Sequence, residues 1–121
     1  MAQRRSSASG NALRIAPNVA KFVLSPEALE DLDLIWSCIA QDNLEAADRV
    51  LDAAYRICEV LGGHPEIGRV REFAKLDLTG MRSFVITDFP NYIIFYRSRD
   101  GCVEIVRVLH GARDIERIFG Q

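Results

Sequence analysis

The spacing of apolar residues changes period along this chain, and each change marks an element. Leu29, Leu32, Ile35, Trp36 and Ile39 recur at helical spacing. Ser25-Pro26-Glu27 supplies the start: a capping hydroxyl, a proline at the first helical position where its missing N–H is no loss, and an acid in the first turn. The pattern predicts a helix to about Gln41, preceded by a short extended run, Lys21-Phe22-Val23-Leu24. Asp42-Asn43 interrupts it, and Asn43 is placed to cap a second helix with Ala46, Ala47, Val50, Leu51, Ala54, Ile57, Cys58 and Leu61. Gly62-Gly63 stops that helix, with Pro65 beyond. So short a connection predicts an antiparallel helical hairpin.

After a loop from Pro65 to Gly80, the period becomes that of strands. Met81–Ile86 reads as one strand and Asp88-Phe89-Pro90-Asn91 as a turn. Tyr92–Arg97 and Cys102–Leu109 then flank Ser98-Arg99-Asp100-Gly101, and Asp-Gly between such runs signals a β-hairpin. His110-Gly111-Ala112-Arg113-Asp114 ends the strand and opens a short helix. Both hairpin strands are apolar on both faces: Tyr92, Ile94 and Tyr96 alternate with Ile93 and Phe95, and Val103 and Ile105 with Val106 and Val108. Such a sheet needs cover on two sides. The helical hairpin supplies one, and a partner is expected on the other. The fold class is therefore α+β: an antiparallel three- to four-stranded sheet packed against an N-terminal α-helical hairpin, with a short C-terminal helix. Residues 1–20, rich in Ser, Ala, Asn and Arg and without sustained period, read as a flexible N-terminal arm. Residues 21–121 form the domain.

Composition narrows the function. The chain has 121 residues, 49% of them hydrophobic, which is enough for one domain with its own core. No apolar run approaches the roughly 18 residues of a membrane span, and the first ten residues lack the apolar stretch of a secretory signal. A cytoplasmic location is expected. Cys38, Cys58 and Cys102 are an odd number without CxxC or Cys/His spacing, so they read as small core or near-core residues. Neither His64 nor His110 has metal-ligand spacing, and there is no P-loop, GxGxxG or GxSxG. No cofactor or metal is expected. The net charge of −2 hides an asymmetry, because residues 21–62 carry nine acidic against three basic side chains and residues 63–121 eight against nine. A general nucleic-acid binder would be net basic, so sequence-specific nucleic-acid binding is not expected and any polyanion contact must be local.

Several residues sit awkwardly in this pattern. By simple alternation Arg107 shares a strand face with Val103, Ile105 and Leu109, so its guanidinium must reach an edge, a carboxylate or a partner. Arg97, on the face of Ile93 and Phe95, has the same ambiguity. Arg113 enters the last helix as a cap, an ion-pair member or a target contact. His110, at a strand end before a glycine, reads as a hydrogen-bonding turn residue with a general base as the alternative. Trp36, in phase with Leu32 and Ile39, reads as core, and Glu30, Asp31 and Asp33 as a solvated helix face.

Six blocks in register carry a resemblance: Phe22-Val-Leu-Ser-Pro-Glu-Ala-Leu-Glu-Asp31-Leu, Asn43-Leu-Glu-Ala-Ala-Asp48-Arg49, His64-Pro-Glu-Ile-Gly68-Arg69, Gly80-Met-Arg82-Ser-Phe84, Tyr92-Ile-Ile-Phe-Tyr-Arg97 and Val106-Arg-Val-Leu-His-Gly-Ala-Arg-Asp-Ile115. In order, from about residue 21 to the C-terminus, they resemble the RelE/ParE superfamily of toxin–antitoxin toxins, most closely its ParE branch. The resemblance implies a small toxin neutralised by a cognate ParD-like antitoxin. ParE-like members poison DNA gyrase, whereas RelE-like members cut messenger RNA on the ribosome, and fold alone does not choose between them. Metal-free RNA cleavage needs a base, an acid and cations for the phosphorane charge. The resemblance would place lysines on the middle strands and a tyrosine near the end of the chain. Val85-Ile86-Thr87-Asp88 offers no lysine, and Phe119 stands where the tyrosine would be. Arg82 and Arg113 match the family's basic positions. The resemblance therefore implies a gyrase-directed toxin without catalytic residues, with Arg82, Arg97, Arg107, His110, Arg113 and Phe119 as candidates for target or partner binding. A RelE-like ribonuclease and an inactive protein-binding module of the same fold are the alternatives.

Overall fold

Ser25 and Asn43 cap the two helices as their positions imply. In a computed structural model, which describes residues 21–73 and 78–119, the Ser25 hydroxyl accepts the Ala28 N–H at 3.0 Å and the Asn43 side-chain oxygen accepts the Ala46 N–H at 2.9 Å. The helices they open are α1 (Pro26–Ala40) and α2 (Leu44–Gly63). Strand β1 (Phe22–Leu24) precedes them. A single 3-10 turn, Pro65–Ile67, leads into the two-residue strand β2 (Arg69–Val70). Then follow β3 (Arg82–Ile86), β4 (Phe89–Arg99), β5 (Cys102–His110) and helix α3 (Gly111–Phe119). The expected N-terminal arm, residues 1–20, lies outside the described residues.

The five strands run in the order β1-β5-β4-β3-β2. The pairs β2–β3, β3–β4 and β4–β5 are antiparallel, but β1 lies parallel to β5. The α+β class holds, with a mixed sheet in place of a purely antiparallel one. The helical hairpin is the crossover that makes the parallel pairing of β1 feasible. Asp100 (φ 55°) and Gly101 (φ 74°) both take left-handed backbone, the two-residue turn that Asp-Gly favours and that matches strand twist. The expected turn over Asp88–Asn91 is shorter: Thr87 and Asp88 make it, and Phe89 already belongs to β4.

Two cores result. Between the helices and the sheet, Ala28, Leu32, Leu51, Ala54, Cys58 and Leu61 meet Ile86, Ile94, Tyr96, Val103, Ile105 and Val108. On the other face Met81, Phe95, Leu109 and Phe119 form a second buried cluster, flanked by Phe73, Leu78, Ile93, Val106, Ile115 and Ile118. The face expected to await a partner is thus covered in part by the chain's own α3 and the segment before β3. Local pattern did not reveal this, because α3 is short and its docking is decided by residues far away in sequence.

Strand β5 also departs from simple alternation. Phe95 is opposite Arg107 and Tyr96 opposite Ile105, so Val106 is the extra residue of a bulge. Ile105 and Val108 therefore both reach the first core, while Val106 and Leu109 face the second. Arg107 consequently leaves the face that alternation assigned to it.

Candidate functional site

Beyond Ile105, β1 has ended and α1 lies against the outer edge of β5. There Asp31, expected on a solvated face with Glu30 and Asp33, is buried instead. Its carboxylate takes three hydrogen bonds: from Arg107 Nε and Nη2, each at 2.8 Å, and from the Val108 N–H at 2.9 Å. The Asp31 side chain is 9% exposed and that of Arg107 22%. This bidentate bonding to Asp31 holds Arg107 in its charged form against the opposing effect of burial, with Asp31, Glu27 and Asp114 adding electrostatic support. Of the readings open for Arg107, the carboxylate from the helices is the one realised within the fold.

The first turn of α3 carries the second half of the site. Asp114 reaches back to accept the His110 N–H at 3.2 Å, and its other oxygen pairs with Arg117 at 2.9 Å and Arg113 at 3.5 Å. Burial raises the Asp114 carboxyl, but the bonds from Arg117 and the His110 amide, with the Arg113 and Arg117 charges, outweigh it and hold the group below its ordinary value. Arg113 and Arg117 keep 67% and 69% of their side-chain surface exposed. His110 packs edge-on against Tyr92, with its Nδ1 buried and without a hydrogen-bond partner. Phe119 lies in the second core between Phe73, 4.6 Å away, and Phe95, 4.9 Å away, and presents almost no surface.

The remaining candidates are elsewhere. Arg82 donates to the carbonyls of Glu66 at 3.1 Å and Gly68 at 2.9 Å, holding the segment that leads into β2. Arg97 lies opposite Glu104 and bonds it at 3.3 Å, with Arg99 on the same carboxylate oxygen at 2.9 Å. That is the end of the hairpin remote from Tyr92 and His110. The structure therefore brings Arg107, His110 and Arg113 together at the junction of α1, β5 and α3, and leaves Arg82 and Arg97 apart from it.

Asp31 was missed as a site residue, although its spacing from Ala28, Leu32 and Ile35 put an acid on the core-facing side of a helix. Arg71 was missed as well. Its guanidinium lies over the rings of Phe73 and Phe95 and donates to Ser83 Oγ at 3.2 Å. Burial, with the neighbouring Arg69 charge, makes it a weaker base than usual. Among the described residues no group of three His, Cys, Asp or Glu side chains is placed to hold a metal ion.

The chain has relatives among known proteins. Residues 22–115 match the family model of the ParE toxin of the type II toxin–antitoxin system parDE. The chain belongs to the ParE toxin family. It is 35% identical over 95 residues to Toxin RelE2 of Caulobacter vibrioides, covering 78% of this chain and 99% of that protein. It is 27% identical over 100 residues to Toxin ParE1 of Mycobacterium tuberculosis, covering 81% and 96%. Among solved structures, the chromosomal ParDE toxin–antitoxin system of P. aeruginosa aligns with a TM-score of 0.62 at 16% identity, over 77% of this chain and 97% of that one. At that identity the likeness concerns fold. The ParE-family resemblance read from the six sequence blocks thus agrees with these comparisons, and the chain is a ParE/RelE-like toxin of a type II toxin–antitoxin system.

Proposed function

We propose that this ParE-family chain acts by binding DNA gyrase, without chemistry of its own, and that a cognate ParD-like antitoxin neutralises it. The observation that carries this reading is Phe119. At the position where a ribonuclease of this superfamily would carry a proton-donating tyrosine, the chain has an apolar ring locked between Phe73 and Phe95. The strands β2 to β5 contain no lysine, so the acid–base groups for metal-free RNA cleavage are lacking from them. Arg113, with its head exposed at the opening of α3, is the first candidate for target contact. Arg107, His110 and Arg117 surround it, and Arg82, Arg97 and Phe119 contribute through the fold. No described helix is long and apolar enough to cross a membrane.

A RelE-like ribonuclease is the second reading, favoured by the similarity to Toxin RelE2 and by Arg82 and Arg113 at basic positions of the superfamily. Induced expression separates the two. The gyrase reading expects a DNA-damage response, double-strand breaks and filamentous cells before protein synthesis falls, all suppressed by co-expression of the antitoxin. Immediate arrest of translation with cuts in ribosome-bound messenger RNA and intact DNA would overturn it. Unimpeded growth would point to an inactive binding module.

A further inference from the structure

The outer edge of β5 is closed by side chains. Strand β1 covers it only from Val103 to Ile105, and the Ser25 N–H takes the Ile105 carbonyl at 3.0 Å as the chain turns away. From there the outward-facing backbone groups fall on Val106, Val108 and His110, every second residue, as on any strand edge. Each is occupied. Ser25 Oγ donates to the Val106 carbonyl at 2.9 Å, Asp31 Oδ2 accepts the Val108 N–H at 2.9 Å, and Asp114 Oδ2 accepts the His110 N–H at 3.2 Å. The three side chains come from the N-cap and first turns of α1 and from the first turn of α3, the two helices that meet the outer edge of β5. They stand where the backbone of a neighbouring strand would stand.

We propose that Ser25, Asp31 and Asp114 form a seal that keeps β5 from accepting a further strand, and that the occupant it excludes is a second copy of this chain. The segment Val106-Arg107-Val108-Leu109-His110 is rich in β-branched and apolar residues, and Asp31 neutralises its arginine. Short apolar strands of low net charge with a free edge template pairing with like strands. Two copies related by a two-fold axis would bring Val108 opposite Val108, and such a closed, self-complementary contact buries the same groups on both chains. The Ser25 hydroxyl and the two carboxylates oppose it by taking the Val106 carbonyl and the Val108 and His110 N–H groups in advance. This proposal does not depend on the toxin's target.

The test is made on the full chain by amide hydrogen exchange in dilute solution and light scattering over a rising concentration series. In the wild type, the Val108 and His110 amides should exchange as slowly as interior strand amides, and the protein should stay monomeric through this edge. Asp31→Ala should speed Val108 exchange at least about tenfold, the effect of losing one hydrogen bond of average or better strength, and should produce concentration-dependent dimers. Asp31→Asn, which keeps a side-chain oxygen, should restore both slow exchange and the monomer. Circular dichroism first establishes that the Asp31→Ala variant is folded. Should it not be, Asp114→Ala, which opens the His110 end without touching either core, gives the same readout at the His110 amide. Free exchange of Val108 and His110 in the wild type would overturn the proposal. So would a folded, edge-opened variant that remains monomeric, or one whose dimer is cross-linked through another surface.

Discussion

The Tyr96 hydroxyl and the Gly68 backbone are fitted to each other: the hydroxyl accepts the Gly68 N–H at 2.8 Å and lies where a β-carbon on Gly68 would stand. The same hydroxyl donates to the Pro65 carbonyl at 2.8 Å, and Arg82 holds the carbonyls on either side of Ile67. Tyr96 is fully buried in the first core. A single core side chain thus anchors the turn that delivers β2 to the sheet edge. The φ of Gly68 is −76°, open to any residue, so space and not conformation demands glycine there.

Gly68→Ala should therefore destabilise the fold by about 1–3 kcal/mol, because the new carbon meets the Tyr96 ring atoms Cε1 and Cζ at 2.7 and 2.8 Å. Tyr96→Phe should cost a similar ~1–3 kcal/mol by stranding a buried N–H and a carbonyl. Urea unfolding of both variants measures this. Wild-type stability in either one would show that the segment is not anchored here.

Stability should fall at both ends of the pH scale for identifiable reasons. Burial raises the Tyr96 hydroxyl against the lowering effects of the Gly68 amide and Arg82. Its contribution is complete below its unfolded value of about 10 and is lost as pH rises through the higher folded value. At the acid end, burial raises Glu104, but its bonds to Arg99 and Arg97 and their charges prevail, so it is held below its ordinary value, as is Asp114. Their contributions are present above the unfolded carboxylate values, about 4, and are lost as pH falls through the folded ones. Stability against pH for Tyr96→Phe and Glu104→Gln should flatten the alkaline and acid limbs respectively, and an unchanged limb would reassign it.

The three thiols should react in sequence. Cys38 is exposed, Cys102 half-buried and Cys58 buried. Burial, with the Glu59 charge, pushes the Cys58 thiol up to about 12, so almost no thiolate forms at neutral pH. Labelling followed by mass spectrometry should modify Cys38 first and Cys58 only on unfolding. The expectation that the cysteines are core or near-core residues holds for Cys58 and Cys102 and fails for Cys38, which is exposed on α1.

The arginines should separate into structural and contact roles. Arg107→Ala leaves the Asp31 carboxylate buried without its cation and should cost about 3–5 kcal/mol. Arg113→Ala removes an exposed head and should change stability by less than ~1 kcal/mol while weakening toxicity. Phe119→Tyr puts a hydroxyl among phenylalanines and should cost about 1–3 kcal/mol without creating RNA cleavage. Thermal melts beside growth assays decide each. Full toxicity of a folded Arg113→Ala would remove that residue from the contact surface.

Some of this was legible because the physics is local. Ser25, Asn43 and Asp100-Gly101 act on backbone groups within a few residues, so the two helix starts, their hairpin and the β4–β5 turn follow from neighbours in the chain; the stop expected at Gly62-Gly63 instead falls at His64, before Pro65, with both glycines still helical. The blocks that carry the ParE resemblance are spread over every element from β1 to α3.

What only the tertiary structure decided are contacts between residues far apart in the chain. The bulge at Val106 shifts the alternation of β5 by one residue, and no period shows where such a shift falls. It puts Arg107 opposite Phe95 and off the face of Val103 and Ile105, and the guanidinium is held at the strand edge by Asp31, 76 residues earlier, a buried acid that looked like part of a solvated face. The second core, the docking of Phe119 and the parallel β1 have the same origin. Each depends on which surfaces meet once the helical hairpin has brought distant segments together, and that free energy belongs to the packed molecule, not to any stretch of its sequence.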